Sequence, residues 1–142
     1  MSLLSRKALL AVAAVVDVAL HSRGQLVSAK DLAVRQVLPA RHLEPVLQAL
    51  VREGVLKGVR GPRGGYELAR ERRRITINDI VSAANAGEDD DETMRPGSGL
   101  LAQVVAPAVA QAEKVFVGAL SRITIEELVR HAEPFTKSTG KN

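Results

Sequence analysis

The stretch Leu56-Lys57-Gly58-Val59-Arg60-Gly61-Pro62-Arg63-Gly64-Gly65-Tyr66-Glu67-Leu68 limits the fold more than any other part of the chain. Glycines at 61, 64 and 65 permit positive backbone angles at little steric cost, and Pro62 fixes its own. The apolar residues on either side can pair as short strands, which predicts a β-hairpin with Arg60 and Arg63 near an exposed tip. An arginine there can grip a phosphate with its planar fork or enter a narrow minor groove, where the negative potential is strongest. The plainer reading is a surface hairpin carrying solvated arginines. The residues ahead of the hairpin decide between the two.

Those residues read as two short helices joined by a tight turn. Residues 5 to 22 first form a strongly apolar segment without Gly or Pro, a helix buried on several sides, with Gly24 behind it as a stop. Ser28 and Asp31 make a capping-box-like start for a helix through about Gln36, with Leu32 and Ala33 turned inward. Val37-Leu38-Pro39 is the turn. Pro39 can open the next helix without losing a needed hydrogen bond, and Leu43, Val46, Leu47 and Leu50 recur at helical spacing until Gly54 ends it. Small Ala33 lets the helices approach closely, the packing that helix-turn-helix modules require. A basic hairpin directly after such a pair reads as a DNA-binding wing.

Composition narrows the choice further. A chain of 142 residues suffices for one compact domain, or for a small module with an oligomerisation arm, and not for two full domains. Phe116, Phe135 and Tyr66 are its only aromatic residues, so the core must be Leu, Val, Ile and Ala. Such a core favours packed helices and offers no stacking platform for single-stranded nucleic acid. The net charge of +4 is unevenly spread: residues 1 to 86 hold 14 Lys or Arg against 7 Asp or Glu, and residues 87 to 142 hold 6 against 9. A basic module of this kind suits a phosphate-rich partner, bound with steep salt dependence. The absence of cysteine excludes disulfides, thiolate metal sites, cysteine nucleophiles and thiol redox sensing. The apolar run from Ala8 to Leu20 is broken by Asp17, lacks a small-residue cleavage pattern, and falls short of the roughly 20 residues a membrane span needs. A cytoplasmic protein without a membrane partner is expected.

After the hairpin come Arg70, Arg72, Arg73 and Arg74, placed at its foot where phosphate contact competes with simple solvation. Thr76 and Asp79 open another capped helix, to about Ala86. Residues 87 to 99 hold the acidic run Glu88 to Glu92 with Pro96, Gly97 and Gly99, and read as a linker or mobile loop. Five consecutive carboxylates do not match the alternating spacing of a calcium loop, so no metal site is assigned. From Leu100 a long amphipathic helix follows, its stripe made by Val105, Val109, Ala112, Phe116, Ala119, Leu120 and Ile123, with Pro107 kinking it or marking where its regular part begins. Thr124 and Glu127 cap a short last helix over roughly Ile125 to His131. A winged module offers too little surface for the long helix, so Val105, Val109, Ala112, Phe116, Leu120 and Ile123 are expected to join two copies in a homodimer.

The chain resembles the family of small bacterial winged-helix regulators that includes IscR, NsrR and CymR, also called the Rrf-two family. The resemblance covers nearly the whole chain and is strongest at the wing, Val59-Arg60-Gly61-Pro62-Arg63-Gly64-Gly65-Tyr66. Leu4-Ser5-Arg6-Lys7, Leu43-Glu44 with Leu47, and Ile75-Thr76-Ile77-Asn78-Asp79-Ile80-Val81 are similar to the family's opening, recognition helix and post-wing segment. What this implies is a mainly α fold with a small β-hairpin wing: a winged helix-turn-helix domain (1–86), an acidic loop (87–99) and a dimerisation region (100–142). It also implies a homodimeric transcription factor, a repressor, on a palindromic operator of double-stranded DNA. Carried over by position, Glu44 faces a base edge, with a cytosine amino group as its match, and Arg60 enters the minor groove. Arg41, His42 and Gln48 are neighbours on the same helix, Ser28, Lys30 and Arg35 look like phosphate contacts, and Arg63 completes the wing tip.

Three departures from the family pattern stand out. The loop that carries cluster-ligating cysteines in many members has none here, so no iron-sulfur cluster and no other cofactor is expected. Val37 stands where the family's turn usually has Gly, which implies a turn that needs no left-handed residue. Pro45 inside the recognition helix implies a kink, or a regular helix that begins only near Glu44.

Two other classes compete. An enzyme would need a nucleophile motif, a phosphate-binding strand-to-helix loop or paired histidines, and none is present; His21, His42 and His131 are scattered and read as surface or helix-end residues. A winged module for protein contact would show an apolar recognition face and few wing arginines, the reverse of this chain. A regulator needing a small-molecule, metal or protein effector stays open, its site expected between the winged module and the dimer helix.

Overall fold

The computed structural model describes residues 3–86 and 99–139. Helix α1 (Arg6–His21) is the central element, capped by Ser5, whose hydroxyl accepts from the Ala8 amide at 3.1 Å. Its Ala8, Ala11, Ala14, Val15 and Val18 are fully buried, and the three alanines let α3 (Ala40–Arg52), α4 (Ile77–Asn85) and α6 (Ile125–Thr139) pack closely against it. Helix α2 (Ala29–Gln36) starts at Ser28, which accepts from the Asp31 amide at 3.1 Å, and drives Leu32 into the core. Helix α3 adds Leu43, Val46, Leu47 and Leu50. Each such side chain contributes about 1.5–3 kcal/mol on burial, enough to fix which face of α3 turns outward.

Strands β1 (Leu56–Val59) and β2 (Gly65–Leu68) form the antiparallel hairpin, in register from Leu56 opposite Leu68 to Val59 opposite Gly65. A 3-10 turn at Arg72–Arg74 leads to α4, whose capping box is complete: Asp79 donates its amide to the Thr76 hydroxyl at 3.1 Å and accepts from the Thr76 amide at 3.0 Å. A π-helical turn (Leu101–Val105) precedes α5 (Ala106–Leu120). Pro107 lies in the first turn of α5, directly after the π-helical turn, and so marks where the regular helix begins.

Four expectations are corrected. Val37 is left-handed, at φ 54°, because it closes α2 in a Schellman motif: its amide reaches the Val34 carbonyl at 3.3 Å and that of Leu38 reaches Ala33 at 3.0 Å. Helix α3 begins at Ala40 rather than near Glu44, and runs unbroken past Pro45. In the hairpin only Gly61 adopts a positive φ; Gly64 and Gly65 are required by close backbone approach instead. The last helix runs to Thr139, beyond His131, and joins the winged module. Its Ile125 and Val129 are core residues, the Ile125 amide donates to the Ile75 carbonyl at 2.8 Å, and Arg72 meets Glu126 at 2.7 Å. The acidic run from 88 to 92 lies outside the described residues.

Candidate nucleic-acid interface

The hairpin is not a free arm. Tyr66 on β2 pairs with Val27, its amide donating to the Val27 carbonyl at 2.7 Å and its carbonyl accepting from the Val27 amide at 3.0 Å. Val27 directly precedes the Ser28 cap, so the wing and the N-terminus of α2 share one backbone junction. The junction requires glycine at 65, since a Cβ there would stand 2.6 Å from the Val27 carbonyl oxygen. A cleft of about 470 Å³ opens beside it, lined by Ser28, Gln48, Val51, Arg60 and Tyr66. Three residues singled out in the sequence, on three different elements, thus face one concavity. Val27 and Tyr66 carried no sequence signal of their pairing, because the bridge joins an isolated residue to a strand far along the chain.

Helix α3 shows its outer face in full. Arg41, Pro45, Gln48 and Arg52 recur at i, i+4, i+7 and i+11, with Glu44 alongside, and all are exposed, as is His42 on the flank. Arg60 and Arg63 are exposed at the hairpin tip, where Gly64 donates to the Gly61 carbonyl at 2.9 Å. Lys30 is exposed in the first turn of α2. The early amides of a helix lack intrahelical acceptors and carry the positive end of its dipole, so this corner favours an anion.

The arginines of the helix-turn-helix and the hairpin divide into two sets. Arg41, Arg60 and Arg63 form no ion pair among the described residues, whereas the run at the foot of the hairpin is engaged with carboxylates. Arg73 lies 2.9 Å from Glu71 and Arg74 lies 3.8 Å from it, and the hydrogen bond from Arg73 holds the Glu71 carboxyl below its ordinary pKa. Arg70 reaches Asp79 at 3.9 Å. Arg35 belongs with the engaged set: its Nε and Nη2 both reach buried Asp17 on α1, at 2.9 and 2.7 Å, and this hydrogen bonding raises its pKa against the opposing effect of burial. Arg35 is therefore tied to the core, apart from the cleft that gathers Ser28, Gln48 and Arg60.

The stripe on α5 also divides. Val105 and Val109 are 48% and 50% exposed, Ala112 is exposed and Phe116 is partly so. Leu120, by contrast, is buried within its own chain at 8%, and Ile123 is half-buried where its carbonyl accepts from the Ile77 amide at 2.9 Å. These two residues anchor the end of α5 to the winged module. Among the described residues no helix is long and apolar enough to cross a membrane.

Two helices joined by a tight turn, the second with an exposed polar stripe beside a docked basic hairpin, make this a winged helix-turn-helix protein. Residues 4–131 match the Rrf2 family profile, described as an iron-dependent transcriptional regulator. The chain is 33% identical over 135 residues to the HTH-type transcriptional regulator IscR of Xenorhabdus nematophila, spanning 92% of this chain and 80% of that protein. Among solved structures it is similar to T. potens IscR, with a TM-score of 0.71 and 30% identity over 91% of this chain and 87% of that one. It also shares the fold of CymR, the global cysteine regulator of B. subtilis, with a TM-score of 0.69 and 24% identity over 92% and 98% of the two chains. The chain belongs to the Rrf2 family of DNA-binding transcriptional regulators, a non-enzymatic family.

The iron in that family description does not fit this chain's donor set as a cysteine-ligated cluster, since the chain has no cysteine. Among the described residues no three His, Asp or Glu side chains converge on a common point either.

Proposed function

We propose that the protein is a repressor that binds a palindromic operator as a homodimer and does so without an iron-sulfur cluster. The observation that carries this reading is the division of the arginines. Those on the outer face of α3 and at the wing tip are unpaired among the described residues, while Arg35 on α2 and Arg70, Arg72, Arg73 and Arg74 at the foot of the hairpin are paired with carboxylates. In this reading α3 lies in the major groove, with Arg41, Glu44 and Gln48 toward base edges and His42 on its flank. Arg60 enters the adjacent minor groove and Arg63 meets phosphate beside it. Ser28 and Lys30 hold a phosphate at the start of α2, while Arg35 acts by fixing that helix. Val105, Val109, Ala112 and Phe116 supply the apolar surface on which two copies meet, and two-fold symmetry then dictates a palindromic site. Repression by occupying the operator needs no surface beyond these.

The test is selection from a random duplex pool with the purified protein, followed by affinity on the enriched site at two salt concentrations. Recovery of a palindrome bound with steep salt dependence is expected, and Glu44→Ala should alter its preferred sequence. Failure to enrich any sequence would overturn the proposal in favour of an effector-dependent regulator or a protein-contact module.

A further inference from the structure

We infer that Pro45 is a specificity-determining residue that reads a thymine through its 5-methyl group. The inference rests on α3 lying in the major groove, as proposed above. Pro45 sits in the interior of a continuous helix, where proline costs roughly 3 kcal/mol relative to alanine. Nothing buried offsets that cost, because the ring is exposed and lies on the opposite face from Leu43, Leu47 and Leu50. Its place is the middle of the outward stripe, one turn after Arg41, next to Glu44 and one turn before Gln48.

The chemistry of that stripe is uneven in a way that matches the major groove. Arg41 can address guanine O6 and N7, Glu44 the cytosine amino group, and Gln48 adenine N6 and N7. Each of these needs a hydrogen-bonding side chain. Pro45 has neither donor nor acceptor in its side chain and no backbone N–H, so the only base feature it complements is an apolar one. The thymine methyl is the sole apolar group that the four base pairs present in that groove. The ring is also rigid, so ordering it against a methyl costs no side-chain rotamer freedom. A hydrogen-bonding residue there would read another base; proline restricts the middle of the half-site to thymine.

The experiment uses the enriched operator with each thymine replaced in turn by deoxyuridine, which removes the methyl and leaves every hydrogen-bonding group in place. For the wild-type protein, one thymine per half-site should prove sensitive, its replacement weakening binding about fourfold, the value of one buried methyl. Pro45→Gly should bind both versions equally and still fold, since glycine disturbs a helix less than proline. Pro45→Gln should move the preference at that position to adenine. A wild-type protein indifferent to every replacement, or a sensitive thymine that stays sensitive in Pro45→Gly, would overturn the inference. If Glu44→Ala still shifts preference in the same assay, the reading of DNA by α3 survives that failure. If no site is enriched at all, both fall.

Discussion

Arg35 closes on Asp17 across 18 residues of sequence, with Nε 2.9 Å from Oδ2 and Nη2 2.7 Å from Oδ1. Gln36 adds a contact at 3.3 Å, and His21 Nδ1 lies 3.3 Å from Oδ1. The two partners are unequally buried: Asp17 is 5% exposed, while the Arg35 side chain is 34% exposed. Their losses must therefore be unequal. Arg35→Ala leaves a buried carboxylate without its cation and should destabilise the protein by about 3 kcal/mol in urea unfolding. Asp17→Asn leaves an arginine that can turn to water, and should cost less. Equal losses would mean that the burial of Asp17 does not set the energetics of the pair.

Val37 holds a β-branched side chain at φ 54° while 86% exposed, so its side chain contributes strain and almost no packing. Val37→Gly should raise stability by about 1 kcal/mol, because glycine accepts that conformation freely and the Schellman bonds remain. Thermal unfolding reads this directly. A neutral or destabilising result would mean that the exposed valine makes a contact in solution that offsets the strain.

Arg60→Ala and Arg63→Ala should each weaken binding to the enriched operator and lower the salt slope by about one, with the melting temperature unchanged. Arg73→Ala serves as the control. Its guanidinium is already paired with Glu71, and its replacement should leave the slope as it is. If Arg73→Ala behaves like the wing variants, the division between free and engaged arginines has no bearing on DNA binding.

Val109→Asp places a charge on the exposed part of α5 without disturbing the chain's own core. Sedimentation should find a monomer with unchanged helical signal, and tight operator binding should be lost together with the dimer. A variant that stays dimeric would place the interface elsewhere.

How much of this was legible in advance depends on the range of the forces involved. Ser28, Thr76 and Thr124 cap helices through bonds that span three residues, and a sequence displays such pairs openly. The inward face of α3 follows from apolar spacing alone. Val37 misled, because a residue's own preference argued against the left-handed state while two closing hydrogen bonds of the whole turn imposed it. Arg35 resembled its neighbours in composition, and nothing local marked Asp17 as its partner. Leu120 sat on the same stripe as Val109, yet the end of α5 turns back to the module and buries it. At the candidate interface, the sequence shows the residue types but not which arginines are already paired.

The bridge between Val27 and Tyr66 makes the protein a ruler. The bridge ties the hairpin to the residue ahead of α2, so if α3 and Arg60 enter neighbouring grooves as proposed, they would do so at one preset span. Adjustment then falls to the double helix. Under that binding mode, duplexes whose twist or bendability brings the grooves to that span would be favoured, and the local mechanics of base steps that no side chain touches would enter into the choice of site.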